Sequence, residues 1–310
     1  MGDLLNIGAV PNRALGAAAA IALAAGAALL VAFGPGPGSV VAGDDAFARL
    51  SNAGAGSLTV DLPPPAEQRI YGAASARGRP IVVIDPGHGG RDPGAGSIDH
   101  DPGDALDHSI AEKDLSLALA NELRDQLIKR GRVRVAMTRE DDRYLTLDQR
   151  AAVARRLGAG LFVSLHIDSA PNPLARGVSI YSLSDVASDA EAARFAAAEN
   201  RGSTGAVQGG DPVEALLSDL AMRGQMIASA DFASRLVARA SGRVGLRPQP
   251  HRFAAFHVLR RSATPAVLVE AGYLSNREDD KLLRSPAYRA ALAQALAQAI
   301  EADIAARATR

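Results

Sequence analysis

The chain is 310 residues long with 47% hydrophobic and 22% charged residues, enough apolar material for a full core and an ordinary charge content for a folded domain. Its 34 basic and 34 acidic residues cancel, so no global field recruits nucleic acid or anionic lipid, and no nucleic-acid partner is expected. There is no cysteine, which excludes disulfides and thiolate metal sites; a transition metal here must be held by His, Asp or Glu.

After Arg13, the stretch Ala14–Phe33 is uncharged and almost wholly apolar, and Gly34-Pro-Gly-Pro-Gly38 and Val40-Val41-Ala42 follow it. A basic flank, an apolar run and a small residue before a plausible cut describe a secretory signal peptide. The run is also long enough to remain as an N-terminal inner-membrane anchor. Either reading of residues 1–42 places the rest of the chain outside the cytoplasm, periplasmic or secreted. Residues 43–79 are rich in Gly, Ala, Ser and Pro, include Pro63-Pro64-Pro65 and hold no sustained period, which predicts a flexible linker. The folded unit is expected over 80–310.

Within it, strands are predicted near 81–84, 133–137, 161–165, 177–183, 255–259 and 266–270, alternating with helices. That pattern defines an α/β fold, a twisted, mostly parallel sheet of about six strands with helices on both faces. The first helix starts near Ser109 and carries Leu115, Leu119, Leu123 and Leu127 as an apolar stripe. A second covers about 146–157, and the last opens at Ser285-Pro286. Between the strands at 177–183 and 255–259 lies more chain than one crossover helix requires. Ser188-Asp-Ala-Glu191 reads as a capping box for a helix ending at Glu199 before Asn200-Arg201-Gly202, and Asp211-Pro-Val-Glu214 opens a longer helix to about Ala240. The surplus, 184–222, is an inserted helical segment that needs its own explanation.

Three buried strands end in residues that bind metals or move protons: Ile81–Ile84 runs into Asp85-Pro-Gly-His88, Leu161–Leu165 into His166, and Val267–Val269 into Glu270. In open α/β sheets the ligand crevice lies outside the carboxyl ends of the strands, so the three converge on one site. The glycines around His88 suggest a phosphate-cradling loop as a rival, but neither GxGxxG nor a GK[ST] ending is present. Asp168, two residues beyond His166, is a candidate partner for an imidazole N–H. Glu112 has two readings: Ser109-x-x-Glu112 is a capping box, yet a carboxylate at the start of this helix also reaches a cation held by His88, with His108 as competitor. Glu270 must be paired, protonated or near a metal, and its bland partners are Arg139 and Arg260.

These residues carry a resemblance. His88 in Ile-Asp-Pro-Gly-His-Gly-Gly, Glu112 in Glu-Lys-Asp, Thr138-Arg139, His166 in Ser-Leu-His-Ile-Asp and Glu270 in Val-Glu-Ala-Gly-Tyr-Leu-Ser-Asn276 follow in the order found in the zinc-dependent N-acetylmuramoyl-L-alanine amidases of the AmiA/AmiB/AmiC type. The chain is similar to that family over about 80–305, with a longer, acidic loop near Asp99–Asp107. The resemblance implies one Zn2+ on His88, Glu112 and His166, with Glu270 as the catalytic carboxylate. It implies peptidoglycan as substrate, cut between the lactyl group of N-acetylmuramic acid and L-alanine, by a protein acting as a monomer. It also implies that 184–222 is a regulatory segment, addressed by a protein activator, whose first helix covers the site. Glu199 is the expected plug, with Glu191 and Glu214 as alternatives, and Leu216, Leu217 and Leu220 form a docking stripe. The competing functions are another zinc peptidase or carboxypeptidase of the wall and a catalytically inactive wall-binding module.

Overall fold

The computed structural model describes residues 68–73, 76–96, 110–201 and 212–308; the segment 1–42 and most of 43–79 lie outside the described residues. In chain order the elements are β1 (Ile70–Tyr71), β2 (Ile81–Pro86), α1 (Glu112–Arg130), β3 (Arg134–Met137), α2 (Leu147–Arg156), β4 (Leu161–Asp168) and β5 (Val178–Leu183). Then come α3 (Ala190–Glu199), α4 (Pro212–Ala240), β6 (Leu246–Ala254), α5 (His257–Arg261), β7 (Ala266–Tyr273), α6 (Arg277–Arg284) and α7 (Pro286–Ala308). The strands form one sheet in the order β1-β3-β2-β4-β7-β5-β6. The central pairs β3/β2, β2/β4 and β4/β7 are parallel, as is β5/β6, while β5 meets β7 antiparallel and β1 meets β3 antiparallel.

Strand alternation divides the core in two. Val82, Ile84, Val163, Leu165, Val267 and Val269 pack on the face covered by α1, α4 and α7. Ile81, Val83, Phe162, Ala266 and Leu268 pack on the opposite face, with α2, α3 and α5. The α/β fold with helices on both faces is therefore as the sequence predicts. The leucine stripe of α1 is buried, and the helix ends at Gly131, whose φ of 65° supplies the left-handed cap that returns its N–H to Leu127 O. Thr146 and Gln149 close a reciprocal capping box at the start of α2.

Three predicted elements differ. The run 255–259 is not a strand: Phe256 caps the short helix α5, and the sheet's edge is the preceding β6. A short apolar run does not distinguish strand from buried helix, and β6 hides its character behind Pro248 and Pro250, which only an edge strand tolerates. The cap of α3 is Asp189, which accepts from Ala192 N at 2.9 Å, whereas Ser188 accepts from Phe253 N and Glu191 pairs with Arg247. Finally, Ile70 and Tyr71, inside the stretch read as linker, pair with Ala136 and Val135 as an added edge strand.

Phe162 is fully buried on the central strand β4 between the sheet and the second helical layer. Phe162→Ala should destabilise the fold by about 3–5 kcal/mol, measured by urea unfolding of the full chain. A loss below about 1 kcal/mol would contradict the packing described.

Candidate metal centre

The parallel strands β2, β4 and β7 lie side by side and end together, so their carboxyl-terminal residues share one rim of the sheet. His166 on β4 stands opposite Glu270 on β7 in the same register. His88 is carried past the end of β2 by Pro86-Gly87 and adopts a left-handed φ of 56°. Gly87 permits the approach, since a Cβ there would lie 2.5 Å from the His166 ring. Gly94 has the same role on the other side, where a Cβ would sit 2.5 Å from Glu112 Oε2 and 2.6 Å from the His88 ring.

Glu112 occupies the first position of α1. It does not fold back as a cap; the reading of Ser109-x-x-Glu112 as a capping box is overturned on the Glu112 side, and Ser109 lies outside the described residues. The glycine loop caps the helix instead, through Glu112 N to Ala95 O at 2.8 Å and Lys113 N to Pro93 O at 3.1 Å. The carboxylate is thereby free to turn into the site. Its Oε2 accepts from Ala95 N and lies 3.1 Å from His88 Nε2, and its Oε1 accepts from Ile167 N and lies 3.0 Å from His166 Nδ1.

Glu199, the last residue of α3, enters the same cluster, 3.8 Å from His88 Nε2 and 3.4 Å from His166 Nδ1. Donor atoms of His88, His166 and Glu199 all lie within 4.8 Å of one another, close enough to bind a metal ion. Glu112 is not part of that triangle, although its contacts with the two rings, each made through a different oxygen, are shorter than those of Glu199. A cavity of about 710 Å³ opens over the cluster, walled by Tyr144, Leu145, Asp168 and Asn200.

The electrostatics are those of a site short of positive charge. Burial opposes a charge on His88, yet Glu112, Asp92 and Glu199 push its pKa up to about 11. Burial likewise works against the charge on Glu112, but His88 and His166 hold it well below the carboxylate range. Burial pushes Glu199 up, against the pull of His166 and His88. Glu270 is raised well above the usual value by burial and by Asp168, Glu112 and Glu199. Among the described residues, neither His88 Nε2 nor Glu270 Oε1, both buried, finds a hydrogen-bond partner. A divalent cation meets these demands at once. Two imidazoles with carboxylates and no thiol are a donor set suited to zinc.

Other site residues are placed differently from the sequence reading. Neither expected arginine pairs with Glu270 among the described residues: Arg139 binds loop carbonyls, Arg260 pairs with Asp185, and Glu270 Oε2 accepts from Asp168 N at 2.9 Å. The Asp168 carboxylate accepts from Ser169 N rather than from an imidazole, and burial raises its pKa to about 7. The carboxylate that orients an imidazole is Asp92, 3.0 Å from His88 Nδ1, which the sequence analysis missed. Its signal was available, four residues after the histidine in the same loop. Glu191 is engaged with Arg247, the side chain of Glu214 and the residue His108 lie outside the described residues, and Leu216, Leu217 and Leu220 are exposed on α4.

An α/β sheet carrying imidazole and carboxylate donors at its strand ends is the architecture of a metal-dependent hydrolase class. The comparisons are specific. The family profile described as N-acetylmuramoyl-L-alanine amidase (Amidase_3) matches residues 82–302, and the chain belongs to this family. It is 35% identical to AmiC of Neisseria meningitidis, over 72% of this chain and 52% of that protein. It is 30% identical to AmiC of Escherichia coli, over 86% of this chain and 63% of the relative. With AmiA of Escherichia coli the identity is 32%, over 74% and 77%. The chain thus spans only about half to two thirds of the two AmiC proteins. Among solved structures, AmiC2 of Nostoc punctiforme is similar with a TM-score of 0.51 and 26% identity, covering 75% of this chain and 99% of that one. An N-acetylmuramoyl-L-alanine amidase from Clostridium difficile gives 0.50 and 26%, over 72% and 95%.

Gly94→Ala should displace Glu112 and His88 together and weaken zinc binding by roughly tenfold or more, the scale of disturbed ligand support. Competition titration of the metal-free full chain measures it. An affinity equal to wild type would remove the Gly94 loop from the centre.

Proposed function

We propose that the chain hydrolyses the amide between the lactyl group of N-acetylmuramic acid and the L-alanine of the peptidoglycan stem peptide. One observation carries the reading: Glu112, at the start of a helix, stands 3.1 Å from His88 Nε2 and 3.0 Å from His166 Nδ1, beside the buried carboxylate Glu270. His88, Glu112 and His166 hold one Zn2+, and Asp92 fixes the His88 ring from its far side. Zinc bound there supplies Lewis acidity, lowering the pKa of water towards about 7 and drawing charge onto an amide oxygen.

Glu270 performs the proton transfers. Its Oε2 is occupied by the Asp168 N–H, and its Oε1 has no partner, so Oε1 takes the proton of the attacking water. Burial and the neighbouring carboxylates raise the Glu270 pKa, which favours the protonated form that it reaches in this transfer. It then returns the proton to the departing nitrogen of L-alanine, leaving a free amine and the carboxylic acid of the lactyl group, which loses its proton to solvent. The site requires no serine or cysteine nucleophile.

Glu199 is the regulatory group in this reading. Glu112 is fastened by two backbone N–H donors and belongs to the rigid part of the site, whereas Glu199 enters from the end of the surplus segment. Helix α3 covers the site and Glu199 occupies a position that substrate needs, until a protein activator that binds 184–222 displaces it. The exposed Leu216, Leu217 and Leu220 offer that activator an apolar stripe. The apolar N-terminal segment supports action outside the cytoplasm, and among the described residues no helix is long and apolar enough to cross a membrane.

Purified sacculi incubated with the full chain should release stem peptides bearing free N-terminal L-alanine, and a chelator should stop the release. Free amino acids from soluble peptides, with sacculi intact, would identify a peptidase instead; binding without new chain ends would identify a wall-binding module. His88→Ala and His166→Ala should lose metal and activity together. Glu270→Ala should keep metal while kcat falls by roughly 10² or more. Metal loss in that variant would make Glu270 a ligand.

Glu199→Ala should raise basal activity without a partner and retain zinc, while Glu112→Ala should lose zinc. This substitution is a cleaner test than deleting 188–222, because Ala192, Phe195 and Ala196 of α3 are buried against Tyr181 and Phe256. Unchanged basal turnover in Glu199→Ala would sink the plug.

A further inference from the structure

Two guanidinium groups are buried under the metal centre and touch none of its donor atoms. Arg139 follows β3 and Arg150 stands in the first turn of α2, and they are 1% and 3% exposed. Burying two like charges so close is unfavourable, and Arg150 is among the groups that depress the pKa of Arg139 after burial itself. Among the described residues, Asp85 is the one carboxylate hydrogen-bonded to either of them, through Arg150 Nη1 at 2.9 Å. What the two share is a peptide segment. Arg139 donates to Pro86 O at 3.1 Å and Gly87 O at 2.7 Å, and Arg150 donates to Pro86 O and His88 O, both at 2.6 Å. Every carbonyl from the end of β2 to the first imidazole is therefore held by a guanidinium.

From this we infer that Arg150 is a positioning residue for the metal centre, fixing the left-handed backbone at His88 through the His88 carbonyl so that Nε2 faces Glu112. The inference rests on the metal reading above. His88 has a φ of 56°, a conformation that a side-chain-bearing residue adopts only when its surroundings enforce it. Among the described residues, the His88 carbonyl accepts from Arg150 alone. The guanidinium is itself immobilised, because Nε donates to Leu145 O at 3.2 Å and Asp85 is gripped by Thr138 Oγ1 at 2.6 Å and Ser164 Oγ at 2.8 Å. The chain of contacts thus runs from β2, β4 and the residue just after β3 through Asp85 and Arg150 to the peptide that aims the ring. The planar fork is what allows one side chain to reach Asp85, Pro86 O and His88 O together; a lysine, with a single nitrogen, does not span them.

The test uses the full chain, stripped of metal, with zinc and cobalt as probes. Arg150→Lys keeps a cation beside Asp85 but releases His88 O. It should remain folded, bind zinc about 10–100-fold more weakly, and show an altered cobalt visible spectrum, a readout that a purely structural arginine would not move. Arg150→Met combined with Asp85→Asn removes the Arg150–Asp85 ion pair as a unit, so neither partner of that pair is left charged alone, and should show the same weakening. His88→Ala is the control for the reading beneath. If it loses zinc while either folded Arg150 variant keeps the wild-type zinc Kd and cobalt spectrum, the positioning role is overturned and the metal site stands. If His88→Ala binds zinc as wild type does, the metal site is misassigned and the inference falls with it.

Discussion

Glu112 sits between two imidazoles with only 2% of its surface exposed, and the arrangement of the whole site follows from where that one carboxylate can be tolerated. A buried carboxylate without partners is strongly disfavoured, so its four contacts must form together. Two are backbone N–H donors, from Ala95 in the glycine loop and Ile167 on β4, and two are the rings of His88 and His166. Those contacts tie α1 to the β2 loop and to β4. The loop in turn caps α1, which is why this helix starts without a side-chain cap. Fold and site are consequently one cooperative unit. The carboxylates Glu112, Glu199, Glu270 and Asp168 repel one another inside it, so a bound cation stabilises the native state as well as serving the chemistry.

How much of this was legible in the sequence follows from burial. Strands β2, β4 and β7 are buried on both faces and read as uninterrupted apolar runs, so His88, His166 and Glu270 could be placed at a common rim before any coordinates. The stripe of α1 was equally plain. Edge elements carry less signal: β6 contains two prolines and little apolar content, and the apolar run after it belongs to α5. Arg139 and Arg150 were not identifiable as buried residues, because what allows their burial is carbonyl groups distant in sequence. The same holds for Glu112, where a local capping pattern and a long-range site role fit the same four residues and only the loop's return to the helix decides between them.

The energetics of Glu199 differ from those of Glu112 in a way that suits a removable group. Glu199 gains from His166 and His88 but is buried beside Glu112 and Asp92, whose charges act against it, and its pKa is raised. Burial and like charge therefore work against its ionised form within the cluster. Helix α3 is held more firmly elsewhere, by Phe195 among Tyr181 and Phe256 and by the Arg247–Glu191 and Arg252–Asp189 ion pairs at its start. Asn200 adds a latch next to Glu199, donating to Ala255 O and accepting from His257 N, both at 2.8 Å. On the proposed reading, an activator has to overcome the sum of these contacts through its differential affinity for an open form. Moving a 1:99 balance to 99:1 takes about 5.5 kcal/mol of such difference.

The topology explains why such a device can sit between β5 and β6. These two strands are parallel, so a crossover is obligatory, and one helix suffices for it. Helix α4 meets that need, burying Phe232, Ala233 and Leu236 against β5 and α7 on the first face of the sheet. Helix α3 is surplus to it and lies on the other face, with Ala192, Phe195 and Ala196 in the second cluster. Because β5 runs antiparallel to β7, the chain leaves β5 at the end of the sheet opposite to the strand ends that carry His166 and Glu270. A ten-residue helix spans about 15 Å, enough to travel back along the sheet and deliver its last residue to the site. The antiparallel meeting of β5 and β7, which interrupts the parallel order of the central strands, is thus what aims the C-terminal end of α3, and with it Glu199, at His88 and His166.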